Sequence, residues 1–288
     1  MKILETLNWA THYLKERQIE NPRLNAELLL ARSMNLSREK LYLRFNHQIQ
    51  KEERKNLESL IQRRISREPL QYILGHQEFW SIDFRVDPRV LIPRSETELL
   101  VEAGLSILSE VSSKRTPSVL ELGTGCGAIA ISLAKEVKDI FIVAIDVSMD
   151  ALILAKENTK SAGGLDKIEF LNGDLFGPFH LFKEPFDLIL SNPPYIMGSK
   201  IEILEKEVKD YEPIIALDGG EDGLKFYRDI IAQAPLYLRT GGWLLLEVGS
   251  DQSNKVVEMI EREGHFQRSE PIKDLSGIER VVKAQKGR

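Results

Sequence analysis

Cysteine and long apolar stretches are both scarce in this sequence. Cys126 is the only cysteine, which excludes an intrachain disulfide and a zinc site built from cysteines. No apolar run approaches the roughly 18–20 residues that a membrane-spanning helix needs. At the N-terminus, Glu5 and Lys15 interrupt the stretch that a signal peptide would keep apolar. We therefore expect a cytoplasmic protein that does not contact a membrane.

A strong excess of one charge is also absent. The net charge is −5 over 288 residues, and a 42% share of hydrophobic residues is typical of a globular protein. Residues 1–75 contain 14 lysines and arginines against nine glutamates, whereas the remainder contains 25 basic against 35 acidic residues. The overall balance argues against a nucleic-acid enzyme, whose binding surface is normally basic. The basic first quarter suits an acidic protein partner or weak RNA contact, but it is equally typical of a solvated helical surface.

The first quarter has the spacing of helices. Ile3, Leu7, Ala10 and Leu14 recur at the spacing of one helix face. A second helix is predicted to start at the Asn21-Pro22 pair and a third at Ser37, and the charged stretch Lys51–Ile65 is predicted as a fourth. The pattern then changes, because Gln71–Leu74 and Gln77–Phe79 flank Gly75, and residues 82–86 alternate between apolar and polar. We predict a helical domain over residues 1–70, a β-hairpin linker over 71–90 and a larger domain over 91–288.

In the larger domain, apolar strands alternate with amphipathic helices. Strands are predicted at Val119–Leu122, Phe141–Ile145, Ile168–Leu171, Phe186–Leu190, Trp243–Glu247 and Val281–Ala284, and helices at Ala128–Val137, Met149–Ser161, Gly223–Leu238 and Ser253–Glu263. This alternation predicts an α/β fold in which helices cover both faces of a mostly parallel sheet. Ligands of such sheets bind at the carboxyl ends of the strands.

A glycine-rich turn follows the first predicted strand of this sheet. The turn is Gly123-Thr124-Gly125-Cys126-Gly127, and Asp146 ends the next strand 19 residues later. Glycines let the backbone approach a ligand closely, and an acid at the end of the second strand can bind a ribose diol. A dinucleotide fingerprint would place the third glycine one residue later, so the spacing favours S-adenosylmethionine.

Asp174 and Leu175 follow the third strand and suit the adenine end of that cofactor. The carboxylate can accept a hydrogen bond from the adenine amino group and the leucine can pack on the ring, although Asp174 could instead only cap a turn. Cys126 is interpreted as a small turn residue that packs within the cofactor loop rather than as a nucleophile.

The fourth strand ends in Asn192-Pro193-Pro194-Tyr195. The Asn192 side-chain oxygen and the Pro193 carbonyl can both accept hydrogen bonds from one planar NH₂ group. Such acceptors orient the nitrogen and stabilise the positive charge that develops on it during methylation, and Tyr195 can cover the flat face of the substrate. The motif therefore predicts methylation of an amide or of an exocyclic amine.

Several longer motifs accompany this segment. They are Pro69–Gly75, Val90–Glu98, Ala216–Leu224 and Asp274–Arg280. With these motifs the chain resembles the bacterial release-factor glutamine methyltransferases, the HemK-type family, over nearly its whole length. The chain departs from the family pattern at Ser95, at Leu175, where an aromatic residue is frequent, and at Ile278-Glu279.

The resemblance implies a class I S-adenosylmethionine-dependent methyltransferase sheet, which is Rossmann-like, with a helical N-terminal domain that docks the substrate. It implies methyl transfer to N5 of the glutamine in the Gly-Gly-Gln motif of class I peptide-chain release factors. We expect the chain to act as a monomer without a stable nucleic-acid partner. Position by position, Gly123 to Gly127, Asp146, Leu175 and Asn192 would contact the cofactor, and Asn192 to Tyr195 would hold the glutamine. Glu96 and Glu98 could be helix caps or could approach the cofactor.

Two other functions remain open on the sequence alone. An N6-adenine or N2-guanine methyltransferase would share the reactive motif but would need a nucleic-acid channel. A module that binds S-adenosylmethionine without catalysis would have no need of paired NH₂ acceptors.

Overall fold

The structure is a computed structural model of the chain and describes residues 1–112, 115–164, 166–181 and 185–287. It divides into two compact units. A helical unit comprises residues 1–76 and 205–211, and a larger unit comprises residues 77–204 and 212–288. The helices of the chain up to the first hairpin are α1 (Ile3–Glu16), α2 (Pro22–Ser33), α3 (Arg38–Tyr42), α4 (Lys51–Ile65) and α5 (Leu70–Leu74).

The helical unit has its own apolar core. Ile3, Leu7, Ala10 and Leu14 of α1 are fully buried, as the helical spacing predicts, because these positions share one face of the helix. Residues 205–211 belong to this unit through side-chain contacts: Arg64 donates to Glu207 at 3.2 Å and Tyr211 donates to the Ser66 carbonyl at 2.7 Å. Nothing in the sequence pattern indicated that this distant segment would join the helices.

The prediction of a strand over Gln71–Leu74 is wrong, because residues 70–74 form helix α5. Gly75 ends this helix at φ +83°, a conformation that glycine adopts without strain. The hairpin begins directly after Gly75 and consists of β1 (His76–Phe79) and β2 (Ile82–Arg85). Trp80 and Ser81 both have positive φ between these strands, which matches the twist of a two-residue hairpin turn.

The larger unit is built on a seven-stranded sheet. The remaining elements, in chain order, are α6 (Glu98–Ser112), β3 (Ser118–Leu122), α7 (Ala128–Glu136), β4 (Phe141–Asp146), α8 (Met149–Ser161), β5 (Ile168–Asn172), β6 (Phe186–Ser191), α9 (Gly198–Ile201), α10 (Lys206–Lys209, in the helical unit), α11 (Lys225–Tyr237), β7 (Leu238–Glu247), α12 (Ser253–Glu263), β8 (Phe266–Lys273) and β9 (Glu279–Lys286). The strand order is β5-β4-β3-β6-β7-β9-β8, with β3 to β7 parallel and the last two strands antiparallel.

Helices pack on both faces of this sheet. Ile189 of β6 belongs to an apolar cluster with Tyr227 and Ile230 of α11, whereas its neighbours Leu188 and Leu190 lie against Gly104 of α6. Such alternation follows from the two-residue period of a strand, and it leaves β6 buried along its whole length. The predicted class I methyltransferase fold is confirmed.

Strand β8 was not predicted. Its sequence is mostly polar, and most of its residues are exposed or only half-buried because it lies at the edge of the sheet. An edge strand needs no continuous apolar pattern, and it can accommodate Pro271. Within the described ranges, no helix combines the length and apolarity that crossing a bilayer requires.

Candidate active site

A cavity of about 300 Å³ opens at the carboxyl ends of β3, β4, β5 and β6. This is the edge where parallel α/β sheets bind their ligands. The predicted residues that line the cavity are Gly123, Gly125, Asp146, Asp174, Leu175, Asn192, Pro193 and Pro194. The structure thus brings three separate sequence motifs together around one space.

The glycine loop is joined to the end of β4. The backbone N–H groups of Gly123 and Thr124 both donate to the Ile145 carbonyl at 2.8 Å, and the Gly125 N–H donates to Asp146 Oδ2 at 2.8 Å. Gly123 and Gly125 have φ of +75° and +56°, a region in which a side chain is strained. The loop and the acidic strand end therefore form one hydrogen-bonded wall of the cavity.

Three predicted residues of the same loop do not line the cavity. Thr124 points to the interior, where its hydroxyl donates to Glu121 Oε2 at 2.8 Å. Cys126 is buried, and burial raises the pKa of its thiol to about 12, so no thiolate forms near neutral pH. Gly127 begins α7, and a Cβ there would lie 3.0 Å from Ile131 and 3.2 Å from Ala155. The side chains of Thr124 and Cys126 pack into the interior beside the loop, and the predicted contact of all three residues with the cofactor stays a prediction.

Glu121 is a residue of this region that the sequence reasoning missed. It lies on β3 directly before the loop, and its Oε2 also accepts from the Ala130 N–H at 3.1 Å. Burial raises the pKa of Glu121 to about 8, against the hydrogen bonds from Thr124 and Ala130. By accepting these two hydrogen bonds, the Glu121 carboxyl group holds Thr124 and the first turn of α7 in place.

Asp146 presents its carboxylate to the cavity between two backbone donors. Oδ1 accepts from the Ser148 N–H at 2.9 Å, and Oδ2 accepts from the Gly125 N–H. Burial raises the pKa of Asp146, although these hydrogen bonds act in the opposite direction. Each oxygen retains lone-pair capacity for one further donor, as a ribose diol would supply.

Asp174 and Leu175 line the cavity just after β5, the strand beside β4. The backbone carbonyl of Asp174 closes the turn by accepting from the Gly177 N–H at 2.8 Å, while its exposed carboxylate accepts no hydrogen bond from the described residues. Leu175 has φ +45°, which is costly for a leucine and aims its side chain at the cavity. Strain of this kind is typical of functional sites.

Asn192 and Pro193 follow β6 at the cavity edge. Asn192 Nδ2 donates to Thr97 Oγ1 at 3.2 Å, so its Oδ1 faces away from that contact. Neither Oδ1 of Asn192 nor the Pro193 carbonyl accepts a hydrogen bond from any described residue. The two acceptors that the sequence predicted are therefore both available in the same place.

Tyr195 does not line the cavity. Its ring packs against the apolar cluster beneath α11, and burial raises the pKa of its hydroxyl to about 12. Its carbonyl accepts from Gln252 Nε2 at 3.0 Å, and the next residue, Ile196, pairs with Asp218 in an isolated bridge. The role that we predicted for Tyr195 over the substrate stays a prediction, and in this structure the residue anchors the segment.

The cavity has further walls that the sequence reasoning missed. These lining residues are Arg89, Val90, Leu91, Val147, Ser148, Pro213, Ile215, Ala216, Lys225 and Phe226. Arg89 is held by a two-pronged ion pair in which its Nε and Nη2 donate to Asp87 at 2.8 and 2.7 Å. The Val90–Glu98 and Ala216–Leu224 motifs were the only sequence signal for these walls.

Glu96 and Glu98 lie outside the cavity lining. Glu98 Oε1 accepts from the Trp80 N–H at 2.8 Å, and Glu96 Oε2 accepts from the Ser95 hydroxyl at 3.1 Å. Both carboxylates serve the start of α6 and its neighbours.

Comparison with known proteins identifies the family. The model of the PrmC N-terminal domain matches residues 5–75, and that of the methyltransferase small domain matches residues 98–211. A release factor glutamine methyltransferase of Geobacter sulfurreducens is 44% identical over 97% of this chain and 95% of its own length. The chain belongs to the release factor glutamine methyltransferases. A member from Clostridium acetobutylicum is 39% identical over 100% of this chain and 99% of its own.

A solved methyltransferase from Pyrococcus furiosus has a fold similar to that of this release factor glutamine methyltransferase. Its TM-score is 0.51 at 18% identity, and the match covers 81% of this chain and 100% of that chain. Methyltransferases of this family take the methyl group from S-adenosylmethionine.

Proposed function

We propose that the chain methylates the side-chain amide nitrogen of the glutamine in the Gly-Gly-Gln motif of class I release factors. The observation that carries this proposal is the pair of vacant acceptors on Asn192 and Pro193, beside the cavity that Asp146 and the glycine loop enclose. Relatives up to 44% identical over nearly the whole chain bear the name of that activity. Methylation of adenine or guanine would use the same acceptors, and it is an outcome that the experiment below distinguishes.

The cofactor is assigned to the wall formed by β3, β4 and β5. Asp146 would bind the ribose hydroxyls, Asp174 the adenine amino group, and Leu175 the adenine ring, while Gly123 and Gly125 leave room for the backbone to approach. When bound, S-adenosylmethionine supplies a methyl group on a positively charged sulfur, which is already activated for transfer. The chain has only to hold and orient the two reactants.

Asp146→Ala is expected to weaken binding of S-adenosylmethionine by about 1.5–3 kcal/mol, the scale of charge-assisted hydrogen bonds. Calorimetry would measure the Kd, and Asp229→Ala, an exposed carboxylate on α11, is the matched control. A Kd equal to that of the control, in a variant with an unchanged melting temperature, would contradict the assignment.

Asn192 and Pro193 would orient and activate the amide nitrogen of the substrate. An amide nitrogen is a poor nucleophile because its lone pair is delocalised into the carbonyl group. If Oδ1 of Asn192 and the Pro193 carbonyl each accept one N–H, the lone pair is turned toward the methyl group and the developing positive charge is stabilised. The substrate nitrogen would become acidic only as it accepts the methyl group, and it would then release one proton to water, so no base is needed before the attack.

The direct test is methyl transfer with labelled S-adenosylmethionine. The candidate substrates are a class I release factor, the same factor with its Gly-Gly-Gln glutamine replaced by alanine, tRNA, rRNA and duplex DNA. We expect label only in the unmodified release factor, on the glutamine side chain. Label in a nucleic acid and none in the release factor would establish the alternative function.

We infer that the helical unit docks the release factor. A single amide offers few atoms for recognition, so affinity for a protein must come from a surface elsewhere. Lys40, Leu43 and Arg44, here called the 40–44 patch, lie at and just after α3, and Leu43 is 83% exposed between the two exposed cations. An exposed leucine with flanking positive charge suits an acidic protein surface.

Reversing the charge of the 40–44 patch tests this inference in the full-length chain. Lys40→Glu combined with Arg44→Glu is expected to raise KM for the release factor about tenfold, or about 1.4 kcal/mol, with kcat and cofactor Kd unchanged. The increase should shrink at higher salt, which screens exposed charges. Lys138→Glu combined with Lys255→Glu makes the same charge change on the larger unit. Equal KM values for the two double variants would exclude the patch as the docking surface.

A further inference from the structure

The orientation of the Asn192 amide is a separate problem from its position. The two ends of an amide are nearly equal in size, so packing alone does not decide whether the oxygen or the NH₂ group faces the substrate. Only the oxygen can accept a hydrogen bond. An Asn192 turned by half a rotation would present a donor to the NH₂ group that it has to hold, and the reaction would lose one acceptor.

Thr97 contacts the far end of this amide. It lies in the 3₁₀ turn Ser95–Thr97 before α6, its side chain is 4% exposed, and its Oγ1 accepts from Asn192 Nδ2 at 3.2 Å. A hydroxyl can either accept or donate, so Thr97 alone would tolerate both amide orientations. What fixes the orientation must be a neighbour that commits the proton of Thr97 elsewhere.

Glu247 is that neighbour. It ends β7 and is 3% exposed, and hydrogen bonding from Thr97 and Asn192 acts to lower the pKa of its carboxyl, while its Oε2 has no partner among the described residues. The Tyr227 hydroxyl donates to the Glu247 carbonyl at 3.0 Å and holds the strand end. An ionised carboxylate can only accept hydrogen bonds. If Thr97 donates its hydroxyl hydrogen to Glu247, its Oγ1 remains an acceptor for Asn192.

Burial of this carboxylate opposes its ionisation. Burial raises the pKa of Glu247 to about 7, with Glu96 acting in the same direction and Thr97, Arg280 and Asn192 in the opposite one. A buried carboxylate with an unpartnered oxygen destabilises the fold, so its contribution to the molecule is not stability.

We propose that Thr97 and Glu247 are positioning residues that decide which end of the Asn192 amide faces the substrate. In this arrangement Asn192 donates to Thr97, and Thr97 in turn donates to Glu247. The proposal rests on the proposed function, because it gives Asn192 Oδ1 its role as the acceptor of the substrate amide.

Thr97→Val keeps the shape of the side chain and removes its hydrogen bonds. We expect kcat to fall about tenfold to hundredfold, with KM for the release factor and Kd for S-adenosylmethionine within about twofold of wild type. Thr97→Ser should restore most of the rate. Glu247→Gln, assayed at about pH 8, should also lower kcat, because a carboxamide can donate to Thr97 and reverse the order.

The controls match burial and chemistry. Thr159→Val removes another buried hydroxyl, and Asp187→Asn neutralises another buried carboxylate, which is 3% exposed near the amino end of β6. Both should change the melting temperature without changing kcat. The decisive readout is a double-mutant cycle, in which Thr97→Val or Glu247→Gln added to Asn192→Ala should cause no further loss of kcat.

Two results would overturn the proposal. One is wild-type kcat in folded Thr97→Val or Glu247→Gln, and the other is a further, additive loss in the Asn192→Ala background. If Thr97→Val does not fold, Glu247→Gln and Thr97→Ser carry the same cycle. Failure of the wild-type chain to methylate the release factor refutes the proposed function instead, so the two failures are distinguishable.

Discussion

Asn192→Ala is expected to lower kcat for glutamine methylation by roughly 10²–10³, the usual loss when one preorganised transition-state hydrogen bond is removed. The side-chain oxygen is one of the two acceptors that we assign to the substrate NH₂ group, and no described residue donates a hydrogen bond to it. The variant leaves the Pro193 carbonyl in place, so binding and partial orientation of the amide should persist.

The affinity for S-adenosylmethionine should fall much less than kcat in this variant. Single-turnover rates with saturating cofactor separate the two quantities, and Asn254→Ala on the exposed side of α12 is the control for a surface asparagine. A turnover close to that of wild type would show that the acceptor role belongs to another group.

Gly219→Ala is expected to lower kcat about 10²-fold by displacing the reactive segment, because a shift of about 1 Å in a catalytic group has an effect of that size. A Cβ at position 219 would lie 2.8 Å from the Tyr195 Cα and 2.9 Å from the Pro194 carbonyl oxygen. The Gly219 N–H also donates to the Ile196 carbonyl at 2.8 Å, so the two backbones cannot separate without losing that bond.

The backbone of Gly219 does not have a positive φ, so its own conformation suits alanine and the expected loss is purely steric. Gly177→Ala is the matched control, since it also lacks a positive φ and a Cβ there meets nothing within 4 Å. If Gly219→Ala retains the kcat of this control, the segment is either more deformable than its contacts indicate or not the catalytic element.

The parts of the site that could be predicted are those written in consecutive residues. Asn192 and Pro193 directly follow the buried strand β6, and Asp146 ends β4, so the rule that ligands bind at the carboxyl ends of parallel strands places them at the same edge of the sheet. Gln71–Leu74 was misassigned because a short apolar run suits a strand and a buried helix equally well. Here the packing of Ile73 in the core of the helical unit favours the helix, and this packing joins distant parts of the chain.

The remaining walls of the cavity could not be read in the same way. Arg89 and Lys225 are ordinary surface residues by type, and only the tertiary fold brings them to the cavity. Thr97 and Glu247 are 150 residues apart in the chain, and neither carries a local signal of its contact with Asn192. The orientation of a reactive side chain depends on such residues that are distant in the chain, whereas the reactive residue itself can be recognised from a local sequence motif.

The helical unit is discontinuous in the chain, and this has a consequence for synthesis. Residues 205–211 belong to it, yet they are made more than a hundred residues after α5. Domains generally fold in order as they leave the ribosome. Here Arg64, buried to 93% in the finished protein, lacks the Glu207 carboxylate until most of the sheet strands have been synthesised. The first unit to emerge is therefore incomplete until residue 211 has been made, and its completion means that the reactive segment Asn192–Tyr195 has already been synthesised.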